Sequence, residues 1–292
     1  MKTASSSTAK FSPLLFVLAA AILWSTGGLF IKWTSLSGLE LSFGRSLLAA
    51  ITVAIFTRHE GFGLNLVTAL ASMLYAALLL LFVLATKETT AANAIFLQYT
   101  APVYLLILEP LFYKEKFRRG DLITVTACVI GMSLFFVGRL RPQDVTGNLL
   151  ALASGFCFAC YFLLLRHAKS RAVNRASSVI YGNLLVVLIA APAGLKALPH
   201  MNAHDALSVL YLGVVQIGLA YTLFTVAMAR GVRSLDAGIV GYVEPVLNPI
   251  WVFLVLGEQP TQWALIGGGI IVAAVVCHML LEAKRGQVVS LS

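Results

Sequence analysis

The sequence predicts an all-α integral membrane protein in which ten transmembrane helices form two inverted five-helix repeats. Three observations predict it. Of 292 residues, 59% are hydrophobic and 11% charged, against roughly 25% charged in soluble domains, and mean hydropathy is +0.90. The apolar residues gather into ten runs close to the ~20 residues that cross a hydrocarbon core. The last five runs echo the first five. These proportions exclude a soluble enzyme, a disordered chain, a collagen and a disulfide-rich secreted module. Strand alternation is absent, which argues against a membrane β-barrel.

The first run, Leu14–Lys32, follows Lys2 and Lys10 and carries Trp24. It is too long for a signal-peptide core and is expected to be retained. The second, Leu39–Phe56, holds Arg45 and stops before Arg58. The third, Leu66–Thr86, carries Tyr75, and the fourth, Thr90–Phe112, carries Gln98, Tyr99, Pro102, Glu109 and Pro110. The fifth, Asp121–Gly138, lies between Arg118-Arg119 and Arg139. A polar stretch, Arg139–Val145, leads to the sixth, Gly147–Arg166, with Phe158 and Tyr161. The seventh, Ala176–Leu195, contains Asn183, and the eighth, Ala206–Ala229, contains Gln216 and Tyr221. The ninth, Ser234–Leu256, carries Tyr242, Glu244, Pro245, Asn248, Pro249 and Trp251, and the tenth is Thr261–Leu281. The expected organisation is thus a cytoplasmic tail (1–13), a first repeat (14–138), a linker (139–146), a second repeat (147–281) and a cytoplasmic tail (282–292).

Charge sets the orientation. With the N-terminus in the cytoplasm, fifteen Lys and Arg fall inside, five outside, and Arg45 within a span, as the positive-inside rule requires. Ten spans return the C-terminus to the cytoplasm, and the expected location is the bacterial inner membrane. The same rule accounts for the net charge of +9, so no nucleic-acid partner is implied. Cys128, Cys157, Cys160 and Cys277 all lie in spans and imply no disulfide framework.

At an offset of 143, Ala92–Lys116 lies over Leu235–Gln259 with seven identities in 25 positions. Tyr99-x-x-Pro102 meets Tyr242-x-x-Pro245, and Glu115 meets Glu258. A weaker match, at an offset of 134, sets Leu18–Lys32 over Leu152–Arg166. Because five spans are an odd number, the two copies must be inverted relative to each other. Inverted repeats are the architecture of alternating-access transporters.

The five-plus-five plan, the Gly147–Gly155 opening of the sixth span, and Tyr242-Val243-Glu244-Pro245 followed by Gly257-Glu258 resemble the EamA family of the drug/metabolite transporter superfamily. Among its members the chain is most similar to bacterial amino acid exporters, particularly of aromatic amino acids. The resemblance implies a central cavity lined by spans one, three, four, six, eight and nine, with spans five and ten peripheral.

Several residues are candidates for that site. Pro102 and Pro245 sit mid-span at equivalent places and are expected hinges. Tyr99 and Tyr242 share their faces. Trp24, Tyr75, Phe158, Tyr161 and Tyr221 lie far from span ends, where they line a cavity for an amphipathic solute or pack helices together. Gln98 and Gln216, each expected about 12 Å below the outer end, have amides suited to an amino acid or to another helix. Glu244 is either a protonatable coupling group or a cap for the half-helix that Pro245 begins. Arg45, a turn or so inside the second span, is expected either to snorkel outward or to meet a carboxylate, a structural role ranking first. Glu109 is expected to pair with a loop lysine, and Glu115 and Glu258 to cap the following helices.

No nucleotide-binding loop is present, so ATP is not an expected partner. No metal or cofactor is expected: Cys157-x-x-Cys160 lacks further ligands nearby, and His278 is remote in sequence. The motifs of intramembrane proteases and hydrolases are missing, so the chain is not expected to be an enzyme. The expected partners are a small-molecule substrate and membrane lipid, in a monomer or homodimer. A facilitator without energy coupling, a channel and an intramembrane enzyme are the alternatives to a secondary transporter.

Overall fold

The structure is a computed structural model that describes residues 12–114, 116, 118–134, 137, 145–256 and 262–291. Among these every regular element is helical. The first span is broken into α1 (Pro13–Trp24) and α2 (Gly27–Trp33), and the second is α3 (Gly38–Thr57). The third is α4 (Leu66–Glu88), and the fourth is split into α5 (Ala91–Gln98) and α6 (Ala101–Tyr113). α7 (Arg119–Leu134), α8 (Val145–Arg166), the short α9 (Ala168–Arg171) and α10 (Ser177–Ala197) follow. The eighth span runs from α11 (Ala203–Tyr211) through a π-helical stretch, Leu212–Leu219, into α12 (Ala220–Ala229). The ninth is split into α13 (Ser234–Gly241) and α14 (Val243–Leu256), and α15 (Gln262–Leu291) closes the chain.

Nine helical stretches among the described residues are long and apolar enough to cross a membrane. α7, at 16 residues, is the counterpart of the remaining predicted segment, whose expected end, with Glu115, Glu258 and most of the 139–146 linker, lies outside the described residues. α15 continues beyond Leu281, where the sequence reading had the tail begin.

Helix starts follow the local chemistry. Ser37 and Glu40 form a capping box on α3, Asn65 and Thr68 form one on α4, and Asn202 caps α11 through Asp205 N. Each satisfies amides that an uncapped end would leave orphaned. Large apolar side chains such as Ile55, Leu111, Ile123, Leu188 and Leu265 point outward, as lipid contact requires, while polar groups turn inward.

The spans pack in matching pairs. α4 lies along α8, and α1 along α12. α3 packs on the π stretch of the eighth span, and α10 on α4. α3 and α10 pack together, and α7 and α15 form a pair of their own. Close approach needs small residues: a Cβ on Gly155 of α8 would lie 2.6 Å from Gln98 O and 3.0 Å from Leu97 O. That glycine seats α8 against the break in the fourth span.

Candidate functional site

Three spans break near their middles, at Ser25–Thr26, Tyr99–Thr100 and Tyr242. Two of the breaks precede Pro102 and Pro245, whose rings suit the first turn of a new helix. The break in the first span has no proline. There the carbonyl of Trp24 accepts from Gln216 Nε2 at 3.4 Å, and that of Ser25 from Asn248 Nδ2 at 3.1 Å. Trp251 Nε1 donates to Ser25 Oγ at 2.7 Å. Irregular backbone in a membrane interior survives only with such partners.

Between the breaks lies a cavity of about 30 Å³, lined by Trp24, Arg45, Leu78, Leu79, Phe82, Gln98, Phe158, Gln216, Ile217, Tyr221 and Glu244. It has room for water and none for a solute of amino acid size. Six of the sequence-predicted site residues thus line one space. Trp24 is its aromatic hub, with ring centroids 4.7 Å from Tyr221 and 6.1 Å from Phe158. Tyr75 and Tyr161 stand behind Tyr221 rather than on the cavity: Tyr75 lies 4.8 Å from Tyr221 and 5.2 Å from Tyr161. Asn183 Nδ2 donates to Tyr75 Oη at 3.2 Å.

Glu244 is buried, and its Oε2 accepts from Tyr99 Oη at 2.6 Å. Glu244 stands in the first turn of α14, and its side-chain partner among the described residues is a phenol of the fourth span. Tyr99 and Tyr242 lie 5.7 Å apart, so the breaks of the fourth and ninth spans meet. Pro102 packs beside Gly238 of α13. Gln98 Nε2 donates to Ser154 Oγ at 2.8 Å, and that hydroxyl donates to Leu78 O. One side of its amide therefore serves packing. Gln216 lies in the π stretch, thirteen residues past the start of α11 and deeper than expected.

Arg45 corrects the sequence reading. It does not snorkel: its side chain is 1% exposed, on the cavity lining, and its Nε, Nη1 and Nη2 have no hydrogen-bond partner among the described residues. Leu78, Leu79, Phe82 and Ile217 were also missed, because nothing in an apolar run marks which leucine faces a cavity. Arg45 did carry a signal, as the one basic residue inside a span, eight residues past the cap of α3.

Both ends of the bundle are tied. At one end Glu109, fully buried, accepts from Arg166 Nη1 at 2.7 Å, Ser234 N at 2.9 Å and Leu235 N at 3.3 Å, and lies 3.4 Å from Arg233 Nη2. It pairs with arginines and caps α13, where a loop lysine was expected. Arg233 also meets Asp121 at 3.1 Å and Asp236 at 3.3 Å. Burial disfavours its charge, but Asp236, Glu109 and Asp121 outweigh that and raise its pKa, so it stays cationic. His278 is not remote in space: its Nε2 lies 3.1 Å from Asp236 Oδ1, and with Asp121 the three side chains offer ligand atoms within 4.8 Å of one another. Arg233 already lies against both carboxylates and supplies a positive charge between them, an arrangement that suits an ion-pair network. At the other end Asp205 accepts from Thr34 Oγ1 at 2.6 Å, Ser35 N at 2.9 Å and Ser35 Oγ at 2.9 Å.

The EamA-like transporter family matches the chain in two stretches, residues 11–137 and 145–280. The uncharacterized transporter YdfC of Bacillus subtilis is 28% identical over 68% of this chain and 65% of its own length. The threonine/homoserine exporter RhtA of Escherichia coli is 28% identical over 71% of this chain and 69% of its own. An uncharacterized transporter of Archaeoglobus fulgidus is 25% identical over 94% of this chain and 98% of its own. A crystal structure that is 20% identical superposes with a TM-score of 0.74, covering 92% of this chain and 97% of that one, a likeness of fold.

Proposed function

The chain belongs to the EamA-like transporter family, and from that premise we propose that it is a secondary transporter exporting small amphipathic metabolites, amino acids foremost, from the bacterial cytoplasm by alternating access. The observation that carries this reading is the cavity at the helix breaks, where a guanidinium, a carboxylate and two amides share an aromatic lining in an otherwise apolar interior. Polar groups at that depth are costly and mark solute pathways.

The mechanism follows from the two ties and the three breaks. With room only for water between them, the halves must part to admit a solute. Release of the Glu109–Arg233 end opens one access route, and release of the Asp205–Ser35 end opens the other. Pro102 and Pro245 are the hinges. The matched packing of the spans and the two family-matched stretches support halves that exchange roles through an inverted repeat. The arginine-rich end faces the cytoplasm, with both termini. Glu244, held by Tyr99, is the candidate for coupling export to protons.

The name of RhtA supports amino acids as the substrate class, and the rings of Trp24, Phe158 and Tyr221 support aromatic ones among them. Purified protein in liposomes, offered labelled L-threonine, L-phenylalanine and L-tryptophan, tests the reading. The expected result is saturable flux with counterflow. Failure to move any amino acid or amphipathic solute overturns it.

A further inference from the structure

The cation of the central cavity makes no hydrogen bond or ion pair among the described residues. Arg45 is 1% exposed, and none of its three nitrogens finds an acceptor among the described residues. Glu244 lines the same cavity, yet none of the Arg45 nitrogens is within hydrogen-bond reach of its carboxylate. A guanidinium holds five N–H donors in a planar fork, and buried polar groups in folded proteins are almost always satisfied. An unsatisfied charge in a membrane interior is therefore an expense that packing does not explain.

Its surroundings are equally incomplete. Among the described residues, Trp24 Nε1 is buried without an acceptor, and Gln216 Oε1 is buried without a donor. The π stretch fixes this geometry: a Cβ on Gly213 would lie 2.7 Å from Arg45 O, so the backbone that presents Gln216 rests directly on the backbone of Arg45. The lining thus carries idle donors, Arg45 and Trp24, beside acceptors, Gln216 Oε1 and the Glu244 carboxylate.

We propose that Arg45 is the carboxylate anchor of this cavity, so that the transported solute must bear a carboxylate, while Gln216 Oε1 and Glu244 receive its ammonium group. This rests on the cavity being the transport site. The guanidinium fork matches a carboxylate through two parallel hydrogen bonds, which a lysine cannot reproduce. Amines and amino acid amides lack the group that Arg45 binds and are rejected, because they leave its charge unpaired.

The test uses the full-length protein, Arg45→Gln and Arg45→Lys. Uptake of labelled L-threonine and L-phenylalanine into proteoliposomes is competed with the same amino acids and with their amides. The acids are expected to compete and the amides not. Arg45→Gln is expected to lower uptake by roughly a hundredfold at subsaturating substrate, as loss of a buried charge partner does, and Arg45→Lys to restore little of it. The second measurement is the thermal midpoint in detergent without substrate. Removing an unsatisfied buried charge is expected to raise it for Arg45→Gln, whereas a structural arginine would lower it. Equal competition by amides, wild-type uptake by Arg45→Gln, or a lowered midpoint each overturns the assignment. If the wild type carries none of these amino acids, the amino acid reading fails by itself, and the substrate-free midpoint still judges Arg45.

Discussion

Among the described residues, Glu244 is held by the 2.6 Å hydrogen bond from Tyr99 Oη. Tyr99→Phe leaves that buried carboxylate without its donor and is expected to cost about 1–3 kcal/mol of stability, read as a lower thermal midpoint in detergent. Glu244→Gln keeps the shape and removes the proton site. It is expected to abolish accumulation against a gradient while equilibrative exchange persists with weaker substrate affinity, because the amide oxygen still accepts from the ammonium without the charge. A variant that still concentrates solute would leave Glu244 as no more than a clasp between two broken helices. Residue by residue, the sequence revealed types better than partners. Trp24, Gln98, Phe158, Gln216, Tyr221 and Glu244 were legible because polar and aromatic side chains deep in apolar runs are conspicuous. The pairing of Tyr99 with Glu244 was not, since it joins positions 145 residues apart. Arg45 was misread because snorkelling is the usual resort of an arginine near a span end, and only the packed bundle shows it pinned inward.

At the scale of elements, apolar runs and flanking charges were enough to find the helices, and Tyr-x-x-Pro was enough to find two of the three breaks. The third, at Ser25–Thr26, was illegible. No proline marks it, and the amides that take its carbonyls come from 192 and 223 residues away. The same limit hid the seat of α8 on the fourth span. Gly155→Val is expected to lower stability by about 1–3 kcal/mol or more, because the new side chain meets backbone oxygens at 2.6 and 3.0 Å that cannot turn aside. Glu109 ties α6 to α8 and α13. Glu109→Ala strips an acceptor from two arginines and two backbone amides and is expected to cost about 3 kcal/mol. Faster proteolysis at the loop before Ser234 would report the loosened end, and an unchanged midpoint would show that the network bears little of the closure.

For the whole molecule, two tied ends and a cavity too small for a solute of amino acid size fit the proposed resting point between two openings. A solute that binds the cavity only when one end parts biases the equilibrium by its difference in affinity for the states, no more. An inverted plan was expected from one register of 25 residues and from an odd number of spans, whereas the closures carried no signal, since they are built from loop and helix-end contacts across the chain. The most direct measurement is access to the cavity itself. In a transport-competent chain lacking its four native cysteines, Gln98→Cys is exposed in sealed vesicles to an impermeant thiol reagent from one face and then, separately, from the other. The account predicts labelling from each face, slowed by a saturating transported amino acid. Labelling from one face alone would contradict it, because the cavity would then be a pocket and not a passage.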